Sequence, residues 1–200
     1  MIALVVVFSV CVHEYFHAQM ALWEGDPTAA DEGHLTLNPL KQMGVMSLIM
    51  FCLMGLCWGM VPVNPRNFKS RWSDLRVSLA GPFANFLLFA AAWLVYGYLT
   101  SHMDGALATY MGTRGILTGL LTLIYVFGVY NFVLLVFNLI PAPGLDGWGV
   151  LRSLYPSLGG TQSEFAKGFL IFIIVAALLF INYLFLAGHL AMALSTRMML

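Results

Sequence analysis

The chain has 200 residues, of which 60% are hydrophobic and only 9% charged, and its mean hydropathy is +0.86. That composition excludes an ordinary soluble domain. Nine Lys and Arg are balanced by nine Asp and Glu, so there is no basic excess with which to bind nucleic acid.

Five apolar runs follow one another, roughly 1–23, 43–61, 77–100, 116–140 and 168–191, each near the roughly 20 residues a spanning helix needs. The first reads IALVVVFSVCV before its first histidine. It lacks a basic n-region and an A-x-A cleavage site, so it is read as mature protein rather than a signal peptide. Within it stands His13-Glu14-Tyr15-Phe16-His17, an HExxH pattern. On an α-helix His13 and His17 are about 6 Å apart along one face, within reach of a single ion. Glu14 lies about 60° round from His17, able to address a water at the metal without being a ligand. A chance match is the competing reading. It is disfavoured because three ionisable side chains left idle in a spanning segment would each be costly.

A catalytic zinc usually takes three protein ligands and keeps a fourth position open. The residues after His17 lack the Gly and third His of the metzincin pattern. Glu24 and Glu32, in the connection Glu24 to Lys41, are candidates of the thermolysin sort. Asp146 is the better one, in Asn138-Leu-Ile-Pro-Ala-Pro-Gly-Leu-Asp-Gly147. Two prolines and two glycines break the fourth apolar run there, and irregular backbone at membrane depth is tolerated where it lines a site.

The second run, 43–61, is ambiguous. A plain span would put the end of the first helix and Asp146 on opposite faces unless both lay near the midplane, whereas a dip-and-return path brings both motifs to one side. Gly44, Gly55 and Gly59 suit the re-entrant path, which is the expectation here. The connection Pro62 to Arg76 carries Arg66, Lys69, Arg71 and Arg76 against Asp74 alone, which points to the cytoplasm. Leu35-Thr36-Leu37 alternates like a short strand, and Pro62-Val63 is a second candidate for an edge able to receive an unwound substrate by strand addition. Gly81-Pro82 and Asn85, opening the third run, read as close helix packing and helix punctuation. His34 reads as a solvated loop residue, and His102 and His189 as non-ligands. The cysteines Cys11, Cys52 and Cys57 lie in apolar runs without CxxC spacing and read as packing residues, with no disulfide framework.

The pairing of HEYFH with NLIPAPGLDG, together with Gly25-Asp26, Gly33 to Pro39, Val61 to Asn67 and Ala80 to Asn85, resembles the site-2 protease family of intramembrane zinc metalloproteases, in its small form without a PDZ domain. The likeness covers roughly residues 10–150. It implies that His13, His17 and Asp146 hold one Zn2+, that Glu14 is the catalytic acid/base, and that Asn138 helps hold the substrate backbone. His34 stands where many relatives carry Arg. The expected fold class is an all-α polytopic membrane protein of four to five apolar helical segments, with a short β element near the membrane interface. A single integral-membrane metalloprotease domain over 1–200 is expected, with a C-terminal helix at about 165–194.

The expected activity is zinc-dependent hydrolysis of peptide bonds in or near transmembrane segments of membrane proteins, such as a single-pass substrate in the lipid bilayer of the cell membrane, with the active site nearer the cytoplasmic side. Two alternatives stand beside it. One is a non-catalytic membrane protein that binds or transports metal ions or protons through the same His/Glu/Asp site. The other is a different membrane zincin with a downstream Glu ligand.

Overall fold

A computed structural model of the chain describes residues 1–102, 114–157 and 164–198. In chain order the helices are α1 (Ile2–Trp23), α2 (Thr28–Asp31), α3 (Pro39–Gln42), α4 (Gly44–Met54), a 3-10 turn at Pro65–Asn67, α5 (Ser73–His102), α6 (Arg114–Asn138), α7 (Asp146–Leu154) and α8 (Glu164–Met198). Among the described residues, three helices are long and apolar enough to cross a membrane: Ile2–Trp23, Ser73–His102 and Leu117–Asn138. Most of the stretch between the third and fourth apolar runs, 101–115, falls outside the described residues.

Helix α5 is the centre of the bundle and packs against α1, α6, α7 and α8. Its inward positions are small: Ala80, Gly81, Ala84, Ala92 and Gly97 are buried, which lets neighbouring backbones approach closely where hydrophobicity alone gives helices no reason to associate. Its outward positions include Phe83, Phe86, Leu94 and Tyr98, all exposed, as suits a lipid-facing surface. Gly128 on α6 works in the same way, since a methyl group there would overlap the Met192 thioether of α8.

The second apolar run does not form a span. Helix α4 is 11 residues long and ends at Gly55, whose φ of 72° is left-handed, a conformation glycine adopts without steric cost. The chain then returns. Ser47 Oγ accepts the Trp58 N–H at 2.9 Å and donates to the Trp58 carbonyl at 2.8 Å, and the Met60 N–H reaches the Gln42 carbonyl at 2.9 Å. Entry and exit therefore lie side by side, as the re-entrant path requires. Residues 56–64 belong to no helix and pair with no ladder, and Leu35 and Thr36 form a bend, so no strand is present among the described residues. The short β element expected at Leu35–Leu37 and Pro62–Val63 is absent: the His34 and Thr36 carbonyls are taken by the Gln42 side-chain amide, and no backbone ladder bond reaches Pro62 or Val63.

The returning segment is fastened to the end of α1 by a buried acid. Asp26 accepts from the Asn64 N–H at 2.6 Å and Asn67 Nδ2 at 2.8 Å, and from the Thr28 hydroxyl and N–H. Nearby, Arg76 donates to Glu24 at 2.9 Å, and Ser73 Oγ donates to the same carboxylate at 2.6 Å.

Candidate metal centre

The HExxH pattern falls in the middle of α1, where i, i+4 spacing points both imidazoles toward α5. They can enter because α5 offers Gly81. A Cβ at that position would overlap Nε2 of both His13 and His17, so the small residue is a condition of the site. Each ring is oriented by α5. His17 Nδ1 donates to the Val77 carbonyl at 2.7 Å, and His13 Nδ1 donates to Asn85 Oδ1 at 2.6 Å. With both Nδ1 atoms engaged as donors, both Nε2 atoms present lone pairs.

Asp146 comes from the connection after α6. The break after α6 turns at Gly144, φ 93°, and α7 begins with Asp146 as its first residue. Gly147 lets this start press onto the end of α6, since a Cβ there would overlap the carbonyl oxygens of Leu139 and Ile140. A second close approach, Gly149 against Ser78, seats α7 on α5.

The three side chains meet. His13 Nε2 and His17 Nε2 are 3.0 Å apart, and the Asp146 oxygens lie 3.0 Å from His13 and 3.2 Å from His17. Among the described residues these three form the only group of His, Cys, Asp or Glu placed to hold a metal ion. The donor set fits zinc on two counts. Ligands at about 2.0–2.1 Å in tetrahedral array are separated by about 3.3 Å, close to the spacings found. Asp146 Oδ2 is also buried without any hydrogen-bond partner, facing lone pairs that cannot donate to it. A cation placed among these acceptors would satisfy all of them at once.

The open side of the triad faces a cavity of about 420 Å3 walled by α1, α5, the return segment and the α6–α7 break. Glu14 lines it and packs against Gly59, where a side chain would collide with its carboxylate. Asn138 lines the same cavity. Two residues exceed what the sequence reading gave them. Asn85 is a hydrogen-bond partner of His13 rather than helix punctuation, and Gly81 packs against the rings of His13 and His17. Their i, i+4 spacing, matching that of His13 and His17, is the signal that could have revealed this. His34 is buried, not solvated, and lies 3.5 Å from Gln42 Oε1. Glu24 is committed to Arg76 and Ser73, and Glu32 is exposed, so neither joins the triad. His189 stacks on Tyr125 and His102 on Tyr98, both away from it. The three cysteines are free thiols.

Comparison with known proteins gives the family. The model of peptidase family M50 matches residues 1–181. YwhC of Bacillus subtilis, which bears the name zinc metalloprotease as an inferred assignment, is 32% identical over 179 residues, 87% of this chain and 78% of its own length. Rip2 of Mycolicibacterium smegmatis, named in the same way, is 34% identical over 150 residues, 72% of this chain but only 53% of its own length. No solved structure matches the chain.

Proposed function

We propose, from the premise that the chain belongs to peptidase family M50 and is a zinc-dependent intramembrane protease, that His13, His17 and Asp146 are the zinc ligands and Glu14 is the catalytic acid/base. The observation that carries this reading is the convergence of three lone-pair donors, two of them tautomerically fixed, beside a carboxylate in one cavity. Zinc bound there supplies the Lewis acidity that polarises a scissile carbonyl and brings water deprotonation into the neutral range. Glu14 takes the water proton and delivers it to the leaving amine, a role worth about 10²–10⁴ in rate. Asn138, on the cavity wall, holds the substrate backbone through its amide.

The substrate is a segment of a membrane protein, and a single-pass helix is the form we favour. A helical peptide bond is shielded by its own hydrogen bonds, so the segment unwinds before it enters the cavity. The protein is a multi-pass membrane protein. We place the cavity nearer the cytoplasmic side of the cell membrane. Lys69, Arg71 and Arg76 crowd the end of the bundle beside it, with exposed Trp23 and Trp72, a pattern of basic and aromatic residues suited to that interface. The metal- or proton-transport alternative is not favoured, since it has no need of Glu14 as a non-ligand carboxylate.

The test is Glu14→Gln in reconstituted protein. Zinc content is expected to stay at one ion per chain while cleavage of a transmembrane substrate is lost. Cleavage at the original rate would refute the role given to Glu14.

A further inference from the structure

A hydrogen-bond chain runs on from His13 through three helices. Asn85 Nδ2 donates to Asn131 Oδ1 at 3.0 Å, and Asn131 Nδ2 donates both to Ser9 Oγ and to the Phe127 carbonyl, each at 2.9 Å. Ser9 lies one turn before His13 on α1, so the chain leaves α1, crosses α5 and α6, and returns. Ser9, Asn85 and Asn131 are all 0% exposed, which leaves water no access to stand in for any member.

The direction of the chain is not arbitrary. An amide can be turned either way, and an imidazole can carry its proton on either nitrogen. A backbone carbonyl, however, can only accept. An Asn131 Oδ1 placed 2.9 Å from the Phe127 carbonyl oxygen would set two acceptors against each other, so Asn131 must turn its Nδ2 toward it, and its Oδ1 then faces Asn85. Asn85 must answer with Nδ2, which aims its own Oδ1 at His13. His13 is thereby required to be protonated on Nδ1 and bare on Nε2, the state a metal ligand needs. His17 needs no such relay, because its Nδ1 donates directly to the Val77 carbonyl.

We propose that Asn131 is a positioning residue for the metal centre: anchored on the Phe127 carbonyl, it fixes the amide of Asn85 and through it the tautomer and orientation of His13. Ser9 seats the same amide but does not set its direction. This rests on the zinc-site reading above, and the experiment separates the two.

Zinc affinity is measured in detergent by chelator competition, and the absorption bands of the Co2+-substituted protein are recorded in parallel. Asn131→Leu removes both donor and acceptor, and zinc affinity is expected to fall 10- to 100-fold, the usual effect of losing an outer partner of a ligating histidine. Asn131→Asp, buried and protonated, can still donate to the Phe127 carbonyl and accept from Asn85. It should bind zinc within about threefold of the parent with unchanged Co2+ bands, a rescue in keeping with that retained bonding. Ser9→Ala should also stay within about threefold, since the Phe127 anchor persists. A packing role alone would not separate Leu from Asp in this way. Should Asn131→Leu fail to fold, Asn131→Ser serves: its hydroxyl is taken by the carbonyl four residues back and it is too short to reach Asn85, so the same loss is expected. Parental affinity in a folded Leu or Ser variant, or equal losses in Leu and Asp, would overturn the proposal. His13→Ala retaining parental zinc would instead overturn the site itself.

Discussion

Two glycines decide how close the reacting groups come. Gly81 touches both ligating rings, and Gly59 touches Glu14, so a methyl at either perturbs a different part of the chemistry. Gly81→Ala should cost about 1–3 kcal/mol through overpacking and lower zinc content, as read by metal analysis and thermal unfolding. Gly59→Ala should keep its zinc and lose about 10²-fold in cleavage rate, because a displacement near 1 Å at a catalytic group costs that much. Equal zinc loss in both variants would show that Glu14 and the ligands are not separately seated. The convergence of His13, His17 and Asp146 is legible in the sequence, since HExxH carries its geometry in its spacing and Asp146 sits in a backbone that cannot continue a helix. Asn85 and Asn131 are not, because their roles depend on which faces of α5 and α6 meet α1, and a nearly all-round apolar helix does not advertise its inner face.

At the scale of elements, the return path after α4 is the part most dependent on single polar groups. Ser47→Ala removes two hydrogen bonds to Trp58, and a loss of about 1–3 kcal/mol is expected, seen as faster hydrogen exchange in 56–62 with zinc content unchanged. The Asp26 latch adds a pH dependence. Burial raises its carboxyl, but the hydrogen bonds from Thr28, Asn64 and Asn67 outweigh burial and hold it below the ordinary value of 3.8. A carboxyl lowered in the folded state stabilises fully above its unfolded value and loses that contribution as pH falls through the folded one. Hydrogen-exchange protection in 62–68, taken against the intrinsic rate at each pH, should therefore decrease as pH falls below about 4 in the parent, whereas Asp26→Asn should lack that acid-dependent step. Glu24 is lowered in the same sense, by the Ser73 hydroxyl first and, against some burial, by Arg76. The latch escaped the sequence reading because Asp26 and Asn64 are 38 positions apart and only the returning path makes them neighbours.

For the molecule as a whole, the Asp26–Asn64 contact also bears on topology. A span between them would hold the first and second connections about 30 Å apart, whereas they share a 2.6 Å hydrogen bond. In a background without Cys11, Cys52 and Cys57, Glu32→Cys and Arg71→Cys should be labelled from the same side of the membrane, and labelling from opposite sides would refute the re-entrant path. The number and order of apolar segments could be read from hydropathy alone. Hydropathy does not show the re-entry, and glycine content permits a return without requiring one; the expectation of a return comes from the need for HExxH and Asp146 to meet on one side. The central claim is that two imidazoles and one carboxylate hold the zinc. Zinc-edge X-ray absorption of the purified protein tests it most directly: two histidine nitrogens and oxygen scatterers at about 2.0–2.2 Å are predicted, and a sulfur shell near about 2.3 Å or a single histidine would contradict it.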